Sequence, residues 1–355
     1  MSMANWSELH NDVLEHLSSF LSLPDFRRFG AVCRNWRSVA RQMRHLHQQL
    51  PWLLLGEDDD SHKHKLFSLK EYRTYMIDIP ELQGQHLCGS SFGWLFTMDI
   101  LLNFRLLNPF TRKCYDLPPV PPPNSLYYIT RGMLVAKAIL DRDPSHSSDF
   151  KVLMMYGEKN KLAFWKLGDP TWTLIQDACI WFNDIIFFKE DFYAVGTCNS
   201  YNEIYLVNTT SRPFTKRVGP LVKDHGAFTY LVDCTEELLI VQRYRKALFN
   251  EEYYITKKII IFKVDLEQGN FSEYNPMEGH SVFMGANSCI TVDPGKYHGC
   301  MKNALYLTDL PQQVSARHGS KDLCIYDMVE GFFSWYYSTD HYLPSSPIWL
   351  DPNPW

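Results

Sequence analysis

The strongest constraint on the fold of this chain is a pattern that recurs along most of its length. Between about residues 52 and 338, six segments each combine short apolar strands with a tight polar turn before the last strand. One copy reads "GWLFTM", "FRLLN", the turn "PFTR" and "KCYDLPP", and another reads "LLIVQR", "KKIIIFKV", the turn "DLEQGN" and "FSEYNPM". A period of roughly 40 to 50 residues is typical of β-propeller blades.

One copy of this pattern cannot form a stable domain alone, because its strand edges would be exposed and its core too small. A radial arrangement of copies protects the edges and buries the faces between them. The proline-rich "DLPPVPPPNS" suits a connection between two blades, since proline cannot donate to a strand ladder. We therefore predict an all-β propeller of about six blades, with a pair of packed β-sheets as the structural alternative.

The first 48 residues have a helical pattern instead. Five apolar residues fall on one broad helix face, namely Val13, Leu14, Leu17, Phe20 and Leu21. Pro24 suits the first turn of a second helix, and Trp36 begins the apolar face of a third. Three short helices lie near the lower size limit for independent folding. Their surplus apolar surface therefore packs on the domain that follows or binds another protein.

These patterns predict a multidomain α+β chain. A small three-helix domain occupies residues 1–48, the propeller residues 49–343, and a Pro-rich C-terminal tail residues 344–355. The tail is either flexible or held to the propeller by Trp349. Within the propeller, residues 243–258 form a long insertion rich in charged and aromatic residues. It is either a target-binding segment or an ordinary elongated hairpin.

Composition narrows the classes of partner. The net charge of −5 gives no sign of an electrostatic clamp for nucleic acid or for an anionic membrane. The N-terminus lacks the features of a signal peptide, and no apolar run is long enough to span a bilayer. The nine cysteines include no C-x-x-C pair, so we expect reduced thiols in a cytoplasmic or nuclear protein.

The helical segment resembles an F-box. The matching motifs are "L-x-x-D-V-L-x-x-L", "L-x-L-P-D-F" and "V-C-R-N-W-R", between about residues 6 and 45. This resemblance implies binding to a Skp-type adaptor and, through it, to a cullin ubiquitin ligase. The adaptor-binding residues that it implies are Leu9, Val13, Leu14, Leu17, Leu21, Leu23, Pro24, Phe26, Val32, Cys33 and Trp36. One departure is His10, where the family usually has proline.

The body of the chain resembles plant F-box proteins whose C-terminal region was long labelled a domain of unknown function. The resemblance rests on "GWLFTMD…LLNPFTRKCYDLPP" and on a segment that keeps Phe283, Gly285, Asn287, Pro294, Gly295, Asn303 and Tyr306. It implies a plant source and a propeller-like domain that recognises an unknown protein target.

No motif for catalysis is present. The sequence has no Gly-rich phosphate loop and no G-x-S-x-G elbow, and His62 and His64 lie in a charged segment typical of a solvated turn. We therefore expect no metal, no cofactor and no enzymatic activity. The main hypothesis is the substrate-recognition subunit of an SCF-type cullin ubiquitin ligase. The alternative is a propeller enzyme or sugar-binding lectin whose helical head packs internally.

The site of target recognition is predicted from composition alone. Tyrosine and arginine are enriched among the residues that anchor protein interfaces. In the 243–258 insertion these residue types are Arg243, Tyr244, Arg245, Tyr253 and Tyr254. We predict that they bind the target protein.

Overall fold

The structure is a computed structural model of the whole chain. It describes residues 6–21, 23–43, 49–58, 61–122, 134–158, 160–175, 180–210, 213–219, 222–223, 226–248, 253–274, 279–297, 299–309, 322–337 and 346–352. The chain divides into two compact units, which we describe separately. The helical unit comprises Met1–Leu50 and the propeller unit comprises Pro51–Asn353.

The helical unit contains three short α-helices. They are α1 (Asn11–Ser19), α2 (Leu23–Ala31) and α3 (Arg34–Met43), preceded by one turn of 3-10 helix at Trp6–Glu8. Their positions follow the three apolar stripes of the sequence, and Pro24 lies in the first turn of α2 as predicted.

The core of the helical unit is small and partly aromatic. Leu14 of α1, Phe26 of α2 and Val39 of α3 are completely buried. The ring of Phe29 packs against that of Trp36 with 4.6 Å between their centroids. These contacts leave part of the α1 surface outside the core, because a 9-residue helix cannot bury both of its apolar sides in so small a unit.

The described residues of the propeller unit form 26 strands. In chain order they are β1 (Trp52–Glu57), β2 (His64–Ser68), β3 (Arg73–Ile77), β4 (His86–Ser91), β5 (Trp94–Met98), β6 (Phe104–Leu107), β7 (Cys114–Leu117), β8 (Val135–Leu140), β9 (Lys151–Tyr156), β10 (Lys161–Lys166), β11 (Thr173–Ile175), β12 (Trp181–Phe188), β13 (Asp191–Cys198), β14 (Tyr201–Asn208), β15 (Phe214–Arg217), β16 (Val222–Lys223), β17 (Phe228–Cys234), β18 (Glu237–Leu248), β19 (Tyr253–Asp265), β20 (Asn270–Glu273), β21 (Ser281–Met284), β22 (Ile290–Val292), β23 (Ala304–Leu307), β24 (Cys324–Asp327), β25 (Phe333–Trp335) and β26 (Ile348–Leu350).

These strands form six separate sheets, which are the blades of the propeller. From the inner to the outer strand, blade 1 is β26-β1-β2-β3, and blades 2 and 3 are β4 to β7 and β8 to β11. Blade 4 is β12 to β15 with β16 paired to β14, blade 5 is β17 to β20, and blade 6 is β22-β21-β23-β24-β25. The predicted six-bladed propeller is confirmed, and the alternative of two packed sheets is wrong.

Hydrophobic cores lie between neighbouring blades. Strand β9 shows how one sequence supplies two of them, because successive side chains of a strand point to opposite faces. Val152 and Met154 pack in the core that blade 3 shares with blade 2, whereas Leu153 and Met155 pack in the core shared with blade 4. This double burial explains the continuous apolar run "VLMM" in the sequence.

The C-terminal segment corrects the predicted domain organisation. We predicted a separate tail at residues 344–355, either flexible or held to the propeller by Trp349, but β26 is the inner strand of blade 1 and pairs antiparallel with β1. The Trp349 side chain is fully buried, and its ring lies 4.9 Å from that of Phe283 in blade 6. The propeller is therefore closed by a strand that follows all of the other blades in sequence.

Candidate functional sites

An exposed apolar face on the helical unit is the first candidate site. Val13 and Leu17, one turn apart on α1, are 46% and 43% exposed, and Phe20 at the end of that helix is 74% exposed. Val32, between α2 and α3, is 57% exposed. We name Val13, Leu17 and Phe20, which follow one another at helical spacing along α1 and its C-cap, the apolar face. Several large apolar side chains left in water on one small unit indicate a surface that binds a partner.

The eleven predicted adaptor-binding residues separate into groups in the structure. Leu14 and Phe26 belong to the core of the helical unit, so their expected place on a binding surface is corrected. Val13, Leu17 and Val32 are exposed, whereas Leu9, Leu21, Cys33 and Trp36 are half-buried. The side chains of Leu23 and Pro24 lie outside the described residues. The sequence pattern could not separate these groups, because core and docking residues share the same helical spacing.

The second candidate site is the 243–258 segment, in which residues 243–248 and 253–258 pair as a two-stranded ribbon. Strand β17 pairs with β18 only as far as Arg243, and beyond it β18 pairs with β19 alone. The register shifts between Tyr244 and Arg245. The predicted insertion is thus an extension of one hairpin of blade 5.

The ribbon contradicts the expectation of exposed arginine anchors. Arg243 is fully buried, and the side chain of Arg245 is 4% exposed. Tyr244 is half-buried, with its hydroxyl donating to Gln242 at 3.1 Å. The side chains of Tyr253 and Tyr254 lie outside the described residues. Arg243 and Arg245 therefore cannot be the surface anchors that the sequence predicted.

Both arginines instead join blade 5 to blade 6. The Arg243 guanidinium donates to the Asp322 carboxylate and to the carbonyl oxygen of Thr308, each at 2.7 Å. Arg245 lies 3.1 Å from the carboxylate of Asp309. Burial alone would raise the pKa of Asp322, but the two arginines and the Thr256 hydroxyl outweigh it and hold that pKa below its ordinary value.

A second buried ion pair joins blades 3 and 4. The Lys137 ammonium of β8 lies 2.6 Å from the carboxylate of Asp184 on β12. The same carboxylate accepts the N–H of Leu231 in blade 5 at 2.8 Å. Both inner strands carry a β-bulge just before the charged residue, at Ala136 and at Asn183. Asp184 thus links three blades at the centre of the propeller.

The segment of blade 6 from Phe283 to Tyr306, which carries the resemblance to plant F-box proteins, has a structural role. Gly285 leaves no room for a side chain, because a Cβ there would lie 1.8 Å from the Thr308 hydroxyl oxygen. Asn287 is fully buried and donates to the carbonyl oxygens of Phe283 and Ser288. The Phe283 ring stacks on that of Tyr306 with 4.3 Å between centroids. Phe283 and Tyr306 form the aromatic surface against which Trp349 packs.

The described residues contain no group of three or more His, Cys, Asp or Glu side chains placed to hold a metal ion. Over the same part of the chain, none of the helices has the length and apolar character needed to cross a bilayer.

Comparison with known proteins agrees with this architecture. The profile of the KIB1-4 beta-propeller family matches residues 66–327, and that of the F-box domain matches residues 6–48. The chain therefore belongs to the KIB1-4 beta-propeller family and carries an F-box. The predicted resemblance to plant F-box proteins with a propeller is confirmed.

The relatives come from Arabidopsis thaliana. An F-box/kelch-repeat protein is 22% identical and the alignment covers 98% of this chain and 94% of the relative. An F-box protein is 24% identical over 87% of this chain and 97% of the relative. Another F-box protein is 35% identical over 33% of this chain and 29% of its own length. An F-box joined to a propeller supports a substrate-receptor role in SCF-type ligases in general.

Proposed function

We propose that this protein is the substrate-recognition subunit of an SCF-type cullin ubiquitin ligase. Its helical unit binds a Skp-type adaptor, which connects it to a cullin, and its propeller binds a protein target. The chain itself performs no catalysis in this proposal. It holds the target near the charged ubiquitin carrier and so raises the effective concentration of the reacting groups.

The observation that carries the proposal is the apolar face within the matched F-box. Val13, Leu17 and Val32 belong to the adaptor-binding residues that the resemblance implies, and all three side chains are exposed to solvent. Phe20 adds a further exposed ring. A few side chains that become desolvated at the centre of an interface, aromatic ones prominent among them, supply most of its binding free energy.

The propeller provides the rigid support that target recognition needs. Buried ion pairs join blades 3 to 4 and 5 to 6, and the C-terminal strand closes the ring. Surface segments carried on such a scaffold keep their relative positions, which lowers the entropy lost on binding.

The test replaces Val13 and Leu17 together with alanine. Alanine has the highest helix propensity, so α1 is retained while two exposed side chains are truncated. We expect capture of a recombinant plant Skp-type adaptor to fall at least about tenfold, measured by calorimetry or co-purification. The matched control is Leu174→Ala with Val329→Ala, because these two residues are similarly exposed (45% and 63%) but lie in the propeller.

The result that overturns the adaptor interaction is equal capture by the two double variants. Leu14→Ala does not serve as a test, because Leu14 is buried and its truncation destabilises the helical unit itself.

A further inference from the structure

A pocket opens at the centre of the propeller, where the inner strands of several blades end. Its volume is about 250 Å³. It is lined by the end of β4, the end of β12, the end of β17, the segment after β21 and the residue that follows β26. Five of the six blades therefore contribute to one cavity, which forms only when the blades are packed together in the propeller.

Close backbone contacts between blades lie beside the pocket. The N–H of Ser288 in blade 6 donates to the carbonyl oxygen of Ser90 in blade 2 at 2.7 Å. One residue earlier, a Cβ on Gly89 would lie 3.1 Å from the carbonyl oxygens of both Ala138 and Ala286. Glycine is required there by this close approach of three backbones. Ser90 and Ser288 both line the pocket, so this hydrogen bond joins blades 2 and 6 at its wall.

The pocket combines aromatic rings with carboxylates. Phe92 and Phe187 supply the rings, and Asp233 and Asp351 supply the carboxylates. No lysine, arginine or histidine is among the described residues that line it. Burial raises the pKa of Asp233, and neither the N–H of Glu236 nor the nearby Lys189 ammonium offsets this effect. Two acidic and two aromatic residues, without a basic residue among the described lining, make the pocket complementary to a cation.

We propose that this pocket binds the positively charged side chain of a lysine or arginine of the target protein. The proposal rests on the proposed function and deepens it by assigning the chemistry of recognition. Ring faces attract cations, and carboxylates form charge-assisted hydrogen bonds with ammonium and guanidinium groups. A volume of about 250 Å³ lies below the roughly 300–1,000 Å³ of pockets for drug-sized ligands, so it suits one side chain.

The pocket is distinct from the ribbon predicted from the sequence. Asp233 lies at the end of β17, beside the turn into β18, whereas the ribbon lies at the opposite end of β18. The two candidate recognition sites therefore occupy opposite faces of the propeller. Target binding through the ribbon alone would leave the pocket unused.

The experiment uses three small probes with the full-length chain: the N-acetyl methylamides of arginine, lysine and citrulline. Citrulline has nearly the shape of arginine but no charge. The readout is the methyl NMR spectrum of isoleucine-labelled protein, because Ile186 and Ile290 both line the pocket. We expect saturable shifts of these two methyl signals with the arginine and lysine probes and at least about tenfold weaker binding of the citrulline probe.

The variant is Asp233→Asn combined with Asp351→Asn, which keeps side-chain size while removing both charges. We expect it to bind the arginine probe at least about tenfold more weakly than the unmodified chain. The matched control is Glu267→Gln with Glu330→Gln. Both carboxylates are exposed and lie on turns that do not line the pocket, so this variant should bind the probe normally.

Three outcomes overturn the proposal: unchanged methyl signals, equal binding of citrulline and arginine, or full binding by the Asp233→Asn and Asp351→Asn variant. Equal binding would identify a site for an uncharged group instead. Adaptor capture depends on the apolar face of the helical unit and is measured independently. A chain that binds the adaptor but not the probes disproves only the pocket, and the reverse result disproves only the ligase assignment.

Discussion

The ammonium of Lys137 lies 2.6 Å from the carboxylate of Asp184, and both side chains are only 2% exposed. The two residues belong to the inner strands of adjacent blades, 47 positions apart in sequence. Removing one partner leaves the other as an uncompensated buried charge. This contact is therefore a sensitive point of the packing between blades 3 and 4.

We expect Lys137→Met to lower the free energy of unfolding by about 3–5 kcal/mol, the usual cost of breaking a buried pair. Urea denaturation of the variant measures it. Lys151→Met on the neighbouring strand is the control, since Lys151 is only half-buried and contacts a hydroxyl. Similar decreases in the free energy of unfolding of the two variants would show that the ion pair contributes no more to stability than an ordinary lysine contact.

Gly285 and Thr308 provide a prediction about the segment of blade 6 that carries the family resemblance. Gly285→Ala places a Cβ 1.8 Å from the Thr308 hydroxyl oxygen, so either the Thr308 side chain must rotate or the strand ends must move apart. We expect a loss of about 1–3 kcal/mol, as for other overpacked cores. Thr308→Ala in the same chain removes the clashing oxygen and should restore part of the loss. No recovery in the double variant would place the cause elsewhere.

The sequence predicts the repeated part of the fold well. Apolar runs and polar turns mark five of the blades as units of three strands, because the first strand of each unit is largely buried and the turns are short. The same sequence pattern does not identify the innermost strand of most blades. Strand β8 contains Lys137, a charge that fits a buried strand only because Asp184 neutralises it.

The binding surfaces are harder to predict because they, too, depend on contacts between residues that are distant in sequence. Arg243 in an alternating charged and aromatic segment has the pattern of an exposed hairpin residue. Its burial depends on Asp309 and Asp322, which lie in another blade and come close only in the folded chain. The pocket around Asp233 is also invisible in sequence, because its lining comes from five blades.

Closure by the C-terminal strand predicts a large effect of Trp349→Ala. The ring is fully buried and contacts the rings of Phe283 and Tyr336 in blade 6. We expect a loss of about 3–5 kcal/mol and a lower Tm by calorimetry. Trp335→Ala is the matched control, since that ring is 54% exposed. An equal decrease for both would contradict the role of β26 in closing the ring.

The Asp322 carboxylate predicts a dependence of stability on pH. Its pKa is held below the ordinary value of 3.8, with burial opposing and Arg243 and Arg245 favouring the charged form. A carboxyl group whose pKa is lower in the folded chain stabilises the fold above the unfolded value. That contribution disappears as pH falls through the folded pKa.

We therefore expect Asp322→Asn to be less stable at neutral pH and to lose less further stability between about pH 4 and 2. Urea denaturation across this range measures both effects. Asp116→Asn is the control, because its carboxylate pairs with Arg105 on the surface and is 82% exposed. An unchanged acid slope in Asp322→Asn would assign the acid sensitivity to other groups.

The final prediction concerns His10, which precedes α1 as its N-cap. Its φ of −62° is close to the value that a proline ring fixes, and its side chain forms no capping hydrogen bond. Its N–H has no acceptor among the described residues, so a proline there would break no bond seen in the structure. His10→Pro should therefore pre-organise the start of α1 without strain. We expect adaptor binding to strengthen by about 0.4–1 kcal/mol through a smaller entropy loss on docking, measured by calorimetry.

His10→Ala removes the imidazole without fixing φ, so this control should bind the adaptor as the unmodified chain does. Weaker binding by both variants would show that the imidazole itself contacts the adaptor, and weaker binding by His10→Pro alone would show that α1 starts at a different residue in the complex.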